Sequence, residues 1–407
     1  MRGTLLKVKT KRKPMKPGES TWRIILSLGR GEDGKYKQKW VTFRGTRKQA
    51  EEKLTELTAE VHKGEFVEPS RITVGEWLDD WVETGIAPPR CTANTYLLYL
   101  GIIKNHLKPS LGSIRLQHLT PLHIERYYKE LDLSQATVRV HHGLLGNALK
   151  AAVDSGMLRQ NVAKRVKNKP RVVMGADAVK NCWTSEDART FIGHVKKHCN
   201  AQYIALFALA LDTGLRKSEL LGLQWKDLRD NVLSVERQVS SAARALRRMK
   251  GEPEAAIPQL DISLPKTKRA RTLDLSDETV ALLREHKRQQ AELKLKNRQH
   301  YVDHGLIFAQ AWEEKSHRNG ALGERLNDWL LGHMLTGLCD ASKVKRITPH
   351  GLRHTCATLL LSAGVQPHVV QKRLGHTDIG MTLGIYAHVL PSMQADAASK
   401  LAALLHG

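Results

Sequence analysis

Three stretches of this sequence carry side chains able to act on an anion. In "ALDTGLRKSELLGLQW" the pattern predicts an apolar helix that ends at Gly214 and a new one that begins near Arg216. An arginine in a first turn projects beside free backbone N–H groups, a geometry suited to anions. Glu219, one turn on, offers the same arginine a carboxylate partner instead. In "RITPHGLRHTCATLLLSAG", Thr348 can cap a helix, Pro349 can open it and Gly364 can end it. His350 and Arg353 then share a face of its first turn. His350 and His354 have the i, i+4 spacing of metal ligands, but the glutamate of His-Glu-x-x-His and an evident third ligand are missing. In "QKRLGHTDIGMTLGIYAHV", a short helix closes at Gly375, His376 follows, and a further helix bears Tyr386. Alone, His376 reads as a cap or a core histidine. A phenol with a pKa near 10 is a poor nucleophile at neutral pH, so Tyr386 alone could equally be packing.

The elements that must position these residues fall into three regions. "TWRIILSLG" puts Trp22, Ile24, Leu26 and Leu28 on one face of a half-buried strand, and "YKQKWVTF" reads as a second strand with basic residues interleaved. Thr46 can cap a helix with an apolar stripe of Ala50, Leu54, Leu57 and Val61. A sheet backed by a helix, with an exposed basic ribbon, fits the major groove of DNA. After a linker at residues 64–71, "TVGEWLDDWVE", "ANTYLLYLGIIKNHL", "TPLHIERYYKEL" and "SQATVRVHHGLLGNALKAAVDSG" predict a four-helix bundle over about residues 72–164. Beyond residue 181 the pattern is helices with one short sheet, "DNVLSVERQV" and "QLDISLP" with "RTLDLS" being strands separated by a long irregular insertion at about 240–258. The helix "SDETVALLREHKRQQAELKLKNRQ" is basic and amphipathic; its outer face could lie on DNA, though a solvated face is the commoner explanation.

Composition narrows the class. The chain has 407 residues, too many for one ordinary core. It carries 65 Lys and Arg against 41 Asp and Glu, a net charge of +24. Residues 1–50 hold 15 basic and 3 acidic side chains, so half of that excess sits in an eighth of the chain. A polyanion partner is implied, bound with counterion release. No apolar run approaches the roughly 18 residues of a membrane span, and the basic N-terminus lacks an apolar signal segment. The five cysteines are scattered, with no Cys-x-x-Cys. Disulfide frameworks and zinc knuckles are unsupported, and a reducing cytoplasm is expected.

Taken in order, Arg216, His350-x-x-Arg353, Gly375-His376 and Tyr386 form one pattern, and here the sequence resembles the tyrosine recombinases, in particular lambda-type phage and transposon integrases. "TGLRKSELLGLQW" resembles the family's first arginine box and "HGLRHTCATLLLSAG" with "VVQKRLGHTDIGMTLGIYAHV" its second. The resemblance implies a multidomain fold, mainly α with small β-sheets. Its parts would be an N-terminal ββ(β)α arm-binding module at 1–66, a four-helix core-binding domain with linker at 67–170, and a mixed α+β catalytic domain at 171–407. A third strand of the arm module is expected near residues 1–9. Arg216 and Arg353 are implied as phosphate clamps, His350 and His376 as proton-handling or phosphate-contacting groups, and Tyr386 as nucleophile. The family's lysine lies in a β-hairpin turn; "LPKTKRARTLDL" offers Lys266 in the matching Lys-Thr context, with Lys268 close by.

The implied activity is site-specific strand exchange of a phage or mobile element through a covalent 3′-phosphotyrosine, without metal, ATP or cofactor. Two guanidiniums can stabilise the charge that develops on the phosphate, and the phosphotyrosine ester conserves the bond energy. Implied partners are double-stranded DNA at core-type and arm-type sites, three further copies in a DNA-bound tetramer, and DNA-bending accessory proteins, with no membrane. The setting implied is the nucleoid of a bacterial host. Two alternatives share parts of the pattern: a type IB topoisomerase, against which the arm and bundle argue, and a catalytically silent DNA-binding regulator, against which the complete residue set argues.

Overall fold

The computed structural model describes residues 3–8, 19–30, 36–62, 67–170, 181–240, 242–253, 262–264, 270–311, 321–376, 399 and 401–405. Its internal contacts divide the chain into two units, Met1–Val172 and Val173–Gly407. Among the described residues no helix is long and apolar enough to cross a membrane.

In the first unit, strict alternation makes an antiparallel sheet of β1 (Thr4–Val8), β2 (Ser20–Arg30) and β3 (Tyr36–Gly45) in that order. The third strand expected near residues 1–9 is therefore β1. The cross-strand pairs Leu5 with Ile24 and Ile24 with Val41 define the inner face. Ile24 and Leu26 pack there against Leu57 of helix α1 (Arg47–His62). Thr46 caps this helix as expected, its hydroxyl accepting from the Gln49 N–H at 3.3 Å. The outer face carries Leu6, Arg23, Trp40, Thr42 and Arg44 by parity. Trp40 is 62% exposed there, and the Arg23 guanidinium lies 5.2 Å from its ring centroid.

The four expected helices follow. The first is α2 (Val74–Asp80), which widens into a π turn at Trp81–Gly85. The second is α3 (Ala93–Ile102), which passes through a π turn at Ile103–Leu107 into α4 (Lys108–Leu111). The others are α5 (Pro121–Glu130) and α6 (Gln135–Asp154). Thr92, Thr120 and Ser134 accept the capping bonds. The sequence pattern does not predict the π turns, at whose starts Trp81 with Val82 and Ile102 with Ile103 are buried.

The second unit is built on α7 (Ser185–His198) and α8 (Ala201–Thr213), whose Phe191, Leu206 and Phe207 form the centre of its core. A short helix α9 (Lys217–Leu220) leads to strands β4 (Leu228–Arg229), β5 (Val232–Val235) and β6 (Gln238–Val239). The insertion expected to be irregular contains a helix instead, α10 (Ala242–Met249). Its run Ala-Ala-Arg-Ala-Leu-Arg-Arg-Met consists of strong helix formers. Ser240 accepts from the Ala242 N–H at 3.2 Å, and the run stops at Gly251, whose φ is +76°. Strand β7 (Ile262–Ser263) pairs with β6, and β8 (Arg271–Asp274) with β5. Helix α11 (Asp277–Lys296) packs Val280 and Leu283 inward against α8 and leaves its basic outer face in solvent. Then come α12 (Asp328–Ser342), α13 (Pro349–Ser362) and α14 (Pro367–Leu374).

Candidate active site

Two helix ends make the floor of the site. Helix α8 closes on Gly214 and α14 on Gly375, both left-handed, with φ of +62° and +67°. A side chain at Gly214 would meet Leu374 at 2.4 Å, so the close approach of the two ends needs glycine there. Helix C-termini present carbonyls without intrahelical partners, which carry partial negative charge. Arg353, in the first turn of α13, donates from Nη1 to the Gly214 carbonyl at 2.9 Å and from Nη2 to the Leu374 carbonyl at 2.7 Å. It is only 1% exposed. Such burial is tolerated because two dipole ends replace water around the charge. Thr348 caps α13 and Pro349 opens it, as the sequence predicts.

Arg216 caps α9 from its backbone. Its Nη1 donates to Glu219 Oε1 at 2.9 Å and its Nη2 to the Gly375 carbonyl at 3.3 Å, while its backbone N–H donates to Glu219 Oε2 at 3.0 Å. The carboxylate partner proposed from the one-turn spacing is thus present. Glu219 is wholly buried and also accepts from Arg271, at 3.2 Å from Nη1 and 2.7 Å from Nη2. Burial pushes its carboxyl pKa up, but the hydrogen bond and charge of Arg271, with those of Arg216, leave it below the ordinary range. A second node lies behind: Arg373 donates to Asp212 Oδ1 at 2.7 Å, and Asp212 Oδ2 caps α11 through Ser276.

The histidines complete the cluster. The His350 and His354 rings meet edge to face with centroids 4.6 Å apart. His376 follows the Gly375 turn. Its pKa is depressed to about 3, first by burial and then by the charges of Arg353, Arg216, His350 and His354. His354 is lowered to about 4 by burial and the charges of His350 and Arg353. Burial, then the charge of Arg216, brings Arg353 down to about 9, still a cation at neutral pH. Arg216, Arg271 and Arg353 face one carboxylate, Glu219. The cluster thus carries surplus positive charge, and a phosphate would relieve it.

Arg216, His350, Arg353 and His376, predicted from distant segments, come together here. Lys266, Lys268 and Tyr386 lie outside the described residues. Arg271 was missed. The available signal was parity: in Arg-Thr-Leu-Asp-Leu it shares the inward register of Leu273 and Leu275, both buried. An arginine on the inner face of a strand needs a buried acceptor. Among the described residues no group of three ligand side chains is arranged to hold a metal.

Comparison with known proteins places the chain in a family. Residues 182–393 match the phage integrase family, and residues 73–131 the N-terminal SAM-like domain of phage integrases. A XerC-like tyrosine recombinase of Caldanaerobacter subterraneus is 29% identical, over 95% of this chain and 97% of its own length. An integrase of Streptomyces ambofaciens is 25% identical over 92% of each chain. The Tn1549 transposon integrase, solved with a circular intermediate DNA, shares the fold with a TM-score of 0.61, 22% identity and coverage of 81% of this chain and 99% of that one. The lambda integrase, solved as a tetramer on a Holliday junction, gives 0.55 at 17% identity, covering 92% and 96%. The family match spans just over half of the chain and contains every residue of the cluster, and the protein belongs to the phage integrase family, the tyrosine-type site-specific recombinases.

Proposed function

We propose that the protein integrates and excises a phage or other mobile element by cleaving DNA through a 3′-phosphotyrosine at Tyr386. The observation that carries this reading is the cationic cluster: Arg216 and Arg353 converge with His350 and His376 around a surplus of positive charge. The Tyr386 oxygen forms a bond to the scissile phosphorus, and its proton passes to a histidine. The bond to the 5′-oxygen breaks, and Lys266, or Lys268 beside it, protonates that leaving group. The two arginines stabilise the charge that builds on the non-bridging oxygens. Because the ester conserves the bond energy, rejoining consumes no ATP.

In this reading residues 1–66 bind arm-type sites, 67–170 embrace the core site and 171–407 cut it, in a tetramer on DNA at the bacterial nucleoid, assisted by DNA-bending proteins. The open sheet face with Arg23, Trp40 and Arg44 supports a groove-reading role for the first segment. The chain's Leu401, Leu404 and Leu405, all exposed on a terminal helical turn, support contact with a neighbouring copy.

The test is covalent trapping. A nicked core-site duplex from the protein's own attachment region, which loses its 5′-OH fragment on cleavage, should leave the protein on the DNA 3′ end in EDTA and without ATP. Tyr386→Phe removes only the hydroxyl and should bind with near-normal affinity yet give no adduct. An adduct on any other tyrosine, or one formed by the phenylalanine variant, overturns the proposal.

A further inference from the structure

We propose that Arg271 is a positioning residue that aims Arg216, by fixing both groups to which the Arg216 guanidinium donates, the Glu219 carboxylate and the Gly375 carbonyl. This role rests on the reading of Arg216 as a clamp on the scissile phosphate. Arg216 Nη1 donates to Glu219 Oε1 and its Nη2 to the Gly375 carbonyl, 159 positions away. Those two acceptors decide where the fork points, and Arg271 touches the neighbourhood of each. Its Nη1 donates to Glu219 Oε1 at 3.2 Å and its Nη2 to Oε2 at 2.7 Å. Its Nε donates at 3.2 Å to the carbonyl of Arg373, two residues before Gly375. Its guanidinium lies so close to that turn that a side chain at Gly375 would meet Cζ and Nη1 at 3.1 Å.

Strand register brings Arg271 to this place. It opens β8, paired with Val235 of β5, and shares the inward parity of the buried Leu273. Glu219, on α9, is wholly buried. Burial raises its carboxyl pKa, and the hydrogen bond and charge of Arg271 do more than those of Arg216 to bring it down. A guanidinium beside a carboxylate prefers to close on both oxygens. Arg271 grips both oxygens itself and leaves the Arg216 side chain Oε1 alone, so the Arg216 fork is kept from folding onto its own neighbour. Nε, Nη1 and Nη2 of Arg271 all donate within the protein, so it acts through Arg216 and not on the phosphate.

A scissile phosphate stripped of its charge separates this role from simple folding support. Single-turnover cleavage is measured with the full-length protein on two core-site duplexes, one with the ordinary phosphate and one with a methylphosphonate, whose missing charge needs less from a clamp. Arg271→Ala should slow the ordinary substrate by roughly 10²-fold, the scale for a small misplacement of a catalytic group. The ratio of methylphosphonate to phosphate rates should rise at least about fivefold over that of the wild type. Added to Arg216→Ala, the same substitution should cost less than about threefold more, because the group it positions is already gone. Arg271→Lys should show the same pattern in smaller measure, since an ammonium lacks the planar fork, and it serves alone if the alanine variant does not fold. Equal loss on both substrates, or a full further loss in the Arg216→Ala background, overturns the proposal. Arg216→Ala judges the underlying reading separately. If it raises the ratio while the Arg271 variants do not, the clamp reading stands and the positioning role falls. If it leaves the ratio unchanged, the reading itself fails and the positioning role with it.

Discussion

Arginines appear in two opposite settings in this chain. In the second unit Arg353 is buried, its guanidinium fixed by two helix-end carbonyls, and Arg216 and Arg271 share a buried carboxylate. On the open sheet face of the first unit Arg23 lies over an exposed tryptophan, Trp40. The first group has its direction fixed before any DNA arrives, as a transition-state clamp requires. The second keeps its freedom and its water, as a surface that tracks phosphates and base edges requires. On the proposed reading, the same residue type serves chemistry where it is immobilised and recognition where it is not.

The sharpest way to break this comparison is a matched pair of substitutions. Arg353→Ala should lower the cleavage rate by roughly 10³-fold, the scale for losing one preorganised donor to a developing oxyanion. It should also destabilise the protein by about 1–3 kcal/mol, since the Gly214 and Leu374 carbonyls lose their partner. Arg23→Ala, at the open sheet, should stay within about 0.5 kcal/mol in denaturant melts. Cleavage of an isolated core site by that variant should be unchanged. A rate loss at Arg23 comparable to that at Arg353 would erase the distinction.

A smaller effect concerns salt. Removing residues 1–66 should flatten the dependence of binding to full attachment DNA on salt, by about 0.9 in the log–log slope for each phosphate the module contacts. Footprints over the outlying sites should vanish while cleavage of an isolated core survives. An unchanged slope after truncation would place recognition elsewhere.

The smallest effect is on acid stability, to which the histidines of the cluster contribute beside His141, His142 and His286, whose pKa values burial also lowers. His376 and His354 titrate near 3 and 4 in the folded chain, below the ordinary value of about 6.5. Between those limits the unfolded chain binds more protons than the folded one, so stability falls as pH drops from about 6.5 towards 4. The Tm of the DNA-free protein should therefore be lower at pH 5 than at pH 7. His376→Gln should shrink that difference; the full difference persisting in the variant would assign it to other groups.

What the sequence made legible was local. Thr348-Pro349, Thr120-Pro121 and the glycines at 214 and 375 mark helix ends by chemistry that acts within one turn. The Arg216–Glu219 pair is likewise a one-turn contact. The cluster's boxes were recognised, but what binds them together was not. Arg271 earns its place from Glu219, 52 positions away, and from Arg373, 102 positions away, and neither distance leaves a periodic trace. The two π turns in the helical region likewise leave no mark in the apolar spacing of their helices. In the insertion, the run of helix formers Ala242–Met249 was legible in the residue types themselves.

The bonds that pin the arginines also set an order of events. Arg353 needs the carbonyl of Gly214, 139 positions earlier, and Arg216 needs that of Gly375, 159 positions later. Neither clamp exists in a chain still leaving the ribosome, nor in one whose second unit has come apart. A half-made copy has not yet reached Gly375, and a heat-damaged one has lost both carbonyl contacts, so in neither are the two guanidiniums held in place. On the proposed reading a cell is thereby guarded by folding itself, because competence to cut DNA arrives only once the turn at Gly375 has met the end at Gly214.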